Sequence, residues 1–212
     1  MSGLYSDIEV KLAEVLLEYP EKKTDPVGLF EEVSGVKVGD GTIVHLHSTL
    51  DGDYVIALPP SPDEVKGMIE RNESLGSFFK SMFIDPQDEN LSTAKPQQVI
   101  AGLVWTDKGY LEKLKSAPRE SLNSILDEKF PQEINVSVFE DSVDNIHLNV
   151  PPQVTGNQTG ALEESQLEQV TGGIAPVVAA AVITGGFAVA AAVAKNPHIT
   201  NKIIDGVKGL FD

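Results

Sequence analysis

The spacing of apolar and polar positions divides the first 152 residues into helical and extended stretches. Leu4, Ile8, Leu12, Val15, Leu16 and Tyr19 recur at helical spacing, which predicts an amphipathic helix over residues 4–19 that ends near Pro20. Thr42–His47 and Tyr54–Leu58 are β-rich runs. Asp51-Gly52 between them is a hairpin signal, and Pro59-Pro60 stops the second run. Residues 63–83 read as a helix with Asp63 as N-cap, and residues 84–98 as a loop. A helical region covers Val99–Lys115, and Pro118 starts another that runs to about Lys129. Residues 134–153 form a second strand–turn–strand unit, again stopped by a Pro-Pro pair. The expected fold class is α+β.

The pattern is written twice. "IVHLHSTLDGDYVIALPP" lies on "NVSVFEDSVDNIHLNVPP", Pro59 on Pro151, and "YSDIEVKLAEVLLEYP" lies over "WTDKGYLEKLKSAP". The offset drifts from 100 to 98 to 92 residues, as two copies separated by small gaps would show. Residues 1–98 then hold the first copy and a loop, and 99–152 the second.

Beyond residue 152 the pattern changes. Residues 153–164 are polar and Gly-rich, a linker. Leu162, Leu167 and Val170 mark a short helix that ends at Gly172-Gly173. Residues 174–194 carry no charge over 21 positions, near the ~20 needed to span a bilayer as a helix. After Pro197 the chain predicts an amphipathic helix with Ile199, Ile203, Val207, Leu210 and Phe211 on one face and Lys202 and Lys208 off it.

Charge sharpens this division. The formal net charge is −16, which excludes nucleic acid as a partner of the whole surface. The segment after Gly173 carries +1 and everything before it −17. There is no cysteine, so disulfides, thiolate metal sites, Cys nucleophiles and Cys-derived rings are all excluded. The N-terminus has neither a basic n-region nor an apolar h-region, so it is not read as a secretory signal.

Other chemistry is thin. His45 and His47 lie on one face of a strand but lack an evident third ligand, so they read as solvated strand histidines, and "EDSVD" (140–144) reads as a hairpin turn. Trp105 reads as a core anchor. No phosphate loop, dinucleotide fingerprint, catalytic triad signature or HExxH is present. No metal, no cofactor and no enzymatic activity are expected.

The Gly-Gly pair is the informative feature. Two residues without side chains fit a narrow peptidase channel beside the nucleophile. Specificity would then come from the upstream apolar residues Leu162, Leu167 and Val170 docking in a groove. The pattern L-x4-L-x2-V-x-G-G resembles the double-glycine leader junction of bacterial peptide precursors. Such leaders are cut after the second Gly by the cysteine peptidase domain of a dedicated ABC exporter. The resemblance implies a scissile bond between Gly173 and Ile174. Gln166 departs from it, because many such leaders have Glu there.

Upstream, Trp105–Asp107, Tyr110, Leu114, Pro118, Leu122 and "VSVFEDSVDNIHLNVPP" are similar to the nitrile-hydratase-like leader family. "STLDGDYVIALPPSP" resembles a strand of the nitrile hydratase α subunit, whose metal is held by a Cys-rich motif this chain lacks. Together these resemblances imply a proteusin-type precursor of a ribosomally made, post-translationally modified peptide. Its leader would bind maturation enzymes and the exporter. Residues 153–173 would be linker and recognition helix, and 174–212 a secreted, bacteriocin-like core that acts on a target membrane. Thr184 and Thr200 are candidates for dehydration, and Lys195, Lys202 and Lys208 for acylation. The precursor would be cytoplasmic and the core secreted. The alternative from another class is a binding module anchored in a membrane by residues 174–194; a degenerate hydratase subunit is a third reading, opposed by the missing metal ligands.

Overall fold

The computed structural model describes residues 7–48, 53–71, 73–83, 96–124, 132, 135–150 and 203. The chain runs through α1 (Asp7–Glu18), a 3-10 turn (Pro20–Thr24), α2 (Pro26–Ser34), β1 (Ile43–Ser48) and β2 (Asp53–Leu58). It continues with α3 (Pro62–Glu70), α4 (Ser74–Lys80), α5 (Pro96–Thr106), α6 (Lys108–Ser116), α7 (Pro118–Asn123), β3 (Asn135–Glu140) and β4 (Asn145–Val150). The mixture is α+β.

Local chemistry sets the helix boundaries. Asp25 accepts a hydrogen bond from the Gly28 N–H at the start of α2, and Gly35 ends the helix in the left-handed region at φ 71°. The helix predicted over 63–83 is two helices. Its N-cap is Ser61 rather than Asp63: Ser61 and Glu64 form a reciprocal capping box, with Pro62 fixing the first turn. The stretch 99–115 is also broken, at Asp107, whose carboxylate accepts from the Gly109 and Tyr110 N–H groups and starts α6.

The strands depart most from expectation. Neither strand–turn–strand unit is a hairpin. β1 pairs in parallel with β4, from Ile43 opposite Asn145 to Ser48 opposite Val150. β2 pairs in parallel with β3, from Asp53 opposite Asn135 to Leu58 opposite Glu140. The reason lies in the strands themselves. Tyr54–Leu58 and Ile146–Val150 are buried at every position, so both of their faces are covered. That burial suits parallel strands with helical crossovers, not the half-exposed arms of a hairpin. Shifting the numbering by 92 carries Ile43 to Asn135 and Asn145 back to Asp53, so each partner pair of one ladder becomes a pair of the other. The pairing has two-fold symmetry in its register.

Helices cover the outer side of each ladder. Against β1·β4, Val44, Ile146, Leu148 and Val150 join a cluster with Leu12 and Leu16 of α1, Phe30 of α2 and residues of α3 and α4. Phe30 meets Phe78 edge to face at 5.3 Å. Burying a side chain such as Phe30 or Phe79 stabilises the fold by roughly 1.5–3 kcal/mol. Against β2·β3, α6 and α7 pack on β3, and Tyr54, Ile56, Leu58, Leu114 and Leu122 are buried. Ile203, helical in conformation, is also fully buried. Among the described residues, no helix is long and apolar enough to cross a membrane.

Candidate functional site

Almost all of the sequence-predicted site lies outside the described residues. This holds for Gly172, Gly173 and Ile174, for Leu162, Leu167 and Val170, and for Thr184, Lys195, Thr200, Lys202 and Lys208. The structure instead brings together the polar residues of the faces through which the two ladders meet.

His45 and His147 sit opposite one another in the β1·β4 register, with ring centroids 4.6 Å apart and planes 8° from parallel. His47 lies 5.4 Å from His147, and Phe139 of β3 stacks on His147 at 4.6 Å and on His47 at 5.5 Å. The stack therefore spans both ladders. The Asn145 Oδ1 lies 3.3 Å from His45 Nε2. The Asp141 carboxylate accepts from the His147 N–H at 2.9 Å and lies 3.0 Å from its Nδ1. His45 and His47, expected to be solvated, are half-buried, whereas His147 is buried and Asp141 is buried beside it. Burial pushes the Asp141 carboxyl up to about 6, against the hydrogen bonds and charge of His147 that pull it down.

This arrangement is a stack and not a ligand cage. Imidazole lone pairs lie in the ring plane, so nearly parallel rings do not aim at a common point. Nor do the described residues contain any group of three or more His, Asp or Glu placed to hold a metal.

A second polar network was not read from the sequence. Glu9 of α1 is only 2% exposed, and its Oε1 accepts from both the backbone N–H and the Nδ2 of Asn149. Asn149 also donates from Nδ2 to the Val55 carbonyl at 2.8 Å and accepts the Val55 N–H at 3.0 Å. A side-chain amide thus takes the place of a strand neighbour and fastens β4 to β2. Two signals pointed to it. Glu9 shares a helical face with Leu12 and Leu16, and Asn149 interrupts an apolar strand.

The acidic segment 140–144 also joins the halves. Asp141 donates its N–H to the Leu58 carbonyl, and Thr42 donates its hydroxyl to the Val143 carbonyl. The Ser142 Oγ accepts from the N–H groups of Asp144 and Asn145, which makes a tight turn without a hairpin ladder. Trp105 packs at the rim of the first cluster, as an anchor would. An open cleft of about 490 Å³ beside this turn holds Lys37 and Arg71, but each is paired, with Glu31 and Glu73. These arrangements hold the two halves together; none assembles a nucleophile with a base.

The chain is 32% identical over 99 residues to Polytheonamide B from Bacterium symbiont subsp. Theonella swinhoei (strain pTSMAC1). The alignment covers 43% of this chain and 67% of that protein. No family model and no solved structure matches the chain.

Proposed function

The chain belongs to the proteusin-type precursors of ribosomally synthesised, post-translationally modified peptides, which carry a nitrile-hydratase-like leader, and from that premise we propose that it is a maturation substrate rather than an enzyme. Residues 1–173 serve as an acidic leader that docks maturation enzymes and an ABC exporter with a cysteine peptidase domain. Leu162, Leu167 and Val170 present the junction, and cleavage after Gly173 releases residues 174–212. The released peptide is secreted and acts on a target membrane as a bacteriocin-like agent. Thr184 and Thr200, or Lys195, Lys202 and Lys208, take the modification.

The observation that carries this reading is the identity to Polytheonamide B over two thirds of that protein. The break in composition and charge at Gly173 supports the position of the cut. Accurate mass of peptides in culture medium, with the native exporter present, tests it. A peptide beginning at Ile174 is expected, and any excess mass identifies the modification. Replacing Gly172 and Gly173 by Leu should reduce its yield by about tenfold or more, because branched side chains block an extended backbone in a narrow channel. Full-length chain retained in a membrane, with no released peptide, would instead favour the anchored binding module.

A further inference from the structure

We infer that the folded leader holds the segment beyond Gly173 before release, with Ile203 closing the apolar cluster over β2·β3. Only the consequence of this contact for the product rests on the precursor reading; the contact itself is argued from packing.

Ile203 is fully buried, although it lies 53 positions after the end of β4. It does not belong to the cluster over β1·β4. The other buried apolar side chains lie on β2, α5, α6 and α7: Tyr54, Ile56, Leu58, Leu103, Leu114 and Leu122 among them. The register symmetry says what that side needs. Ile146, Leu148 and Val150 of β4 shift by 92 onto Tyr54, Ile56 and Leu58 of β2. The first three share their cluster with α3 and α4, the helices that follow β2 after Pro59-Pro60 and contribute Val65, Met68, Leu75 and Phe79. By the same operation, the outer face of β2·β3 is covered by whatever follows β4 after Pro151-Pro152. The one described residue after β4 is Ile203, and it is buried.

Sequence and charge agree. The segment around Ile203 is predicted to carry Ile199, Ile203, Val207 and Leu210 on one helical face, as a helix docked on a strand layer requires. Its net charge is +1 against −17 for the leader, so long-range electrostatics favour the contact. The leader is then a chaperone for its own product: it covers the apolar face that would otherwise aggregate or enter the producer's membrane. Cutting the junction alone does not free such a peptide, because the docked face must also be withdrawn.

The uncut chain tests this. It has no cysteine, so Lys208→Cys gives a single attachment point for a nitroxide. Paramagnetic broadening is expected at the amides of Tyr54–Leu58 and of α7, and not at those of α2. No broadening at β2, or broadening at α2 instead, overturns the proposal. Independently, Ile203→Asp should speed amide exchange in Tyr54–Leu58 by about tenfold or more, and unchanged exchange there also overturns it. Neither measurement involves the junction. Docking without release would make the segment a permanent part of the domain, and release without docking would leave the leader tied to its product by the chain alone.

Discussion

The two sides of each ladder teach different things. Under the shift of 92, the outer positions pair like with like: Val44 with Val136, Leu46 with Val138, Tyr54 with Ile146, Ile56 with Leu148, Leu58 with Val150. The inner positions do not: His45 falls on Ser137, His47 on Phe139, Val55 on His147, Ala57 on Asn149. The outer faces answer to one demand, burial under helices, which any apolar side chain of suitable size meets. On the inner faces every polar group must find a partner, and the polar residues have gathered on β1·β4. Asp141, Asn145 and Glu9 serve them there, while β2·β3 offers backbone groups, small side chains and the Phe139 ring. A symmetric backbone thus carries an asymmetric polar lock.

The largest expected effects lie on the outer faces. Leu148→Ala and Ile56→Ala should each cost roughly 2–5 kcal/mol, since each leaves a cavity in a closed cluster. Urea unfolding of the two variants measures both. If one costs far less than the other, the faces are not equivalent and the symmetry is confined to the register. The lock comes next. Asn149→Ala strands the Val55 N–H and carbonyl in the interior and removes one of the two donors to the Glu9 Oε1, a loss of about 2–3 kcal/mol. Glu9→Gln keeps an acceptor oxygen for both Asn149 donors, so it should cost clearly less in the same titration. Equal costs would mean that the charge of Glu9, rather than its geometry, holds the contact.

Element types were legible in the sequence where periodicity is local. The helical spacing of α1, the apolar runs of β2 and β4 and the Pro-Pro stops all led to the right elements. Pairing was not legible, because Asp51-Gly52 is a local turn signal whereas the choice of partner strand is made by burial on both faces, a tertiary property. The splits between α3 and α4 and at Asp107 were missed for a related reason: Asp107 caps α6 inside a stretch whose apolar spacing continues past it, and Glu73 starts α4 without a side-chain cap bond to mark the break. The inner polar site was legible only in part. His45 and His47 stood out as a pair, but His147 joins them from 100 residues away through the register. Glu9 shares a helical face with Leu12 and Leu16, but that local spacing does not name its partner Asn149, 140 residues away.

The lock also has a pH signature. Asp141 has its folded-state pKa raised from 3.8 to about 6, so the folded protein holds this proton more tightly than the unfolded chain does. Its contribution is therefore complete below pH 3.8 and is lost as pH rises through 6. Asp141→Asn keeps an acceptor for His147 but removes the titration. The stability of the variant relative to the parent should rise by roughly 1.4 kcal/mol between pH 5 and pH 7.5, one pKa unit's worth of the shift. A difference that stays flat across that range would mean that water reaches the carboxylate, and that the inner faces are more open than the outer ones.

The smallest effect concerns where the symmetry ends. After β2 the chain reads Pro59-Pro60-Ser61-Pro62-Asp63-Glu64, and the Ser61–Glu64 box starts α3 at once. After β4 it reads Pro151-Pro152-Gln153-Val154-Thr155-Gly156, in which Gln153 takes the place of the capping serine and Gly156 that of its glutamate partner. Ser61→Ala should cost about 1 kcal/mol, the usual worth of an N-cap, read as a shift in the urea midpoint with unchanged slope. The loss should be confined to the first cluster: exchange should quicken in α3 and α4 and remain as it was in α7. Loss of protection in α7 as well would show that the two clusters unfold as one unit. Loss in α3 and α4 alone would show that each outer face depends on the segment that follows its own half.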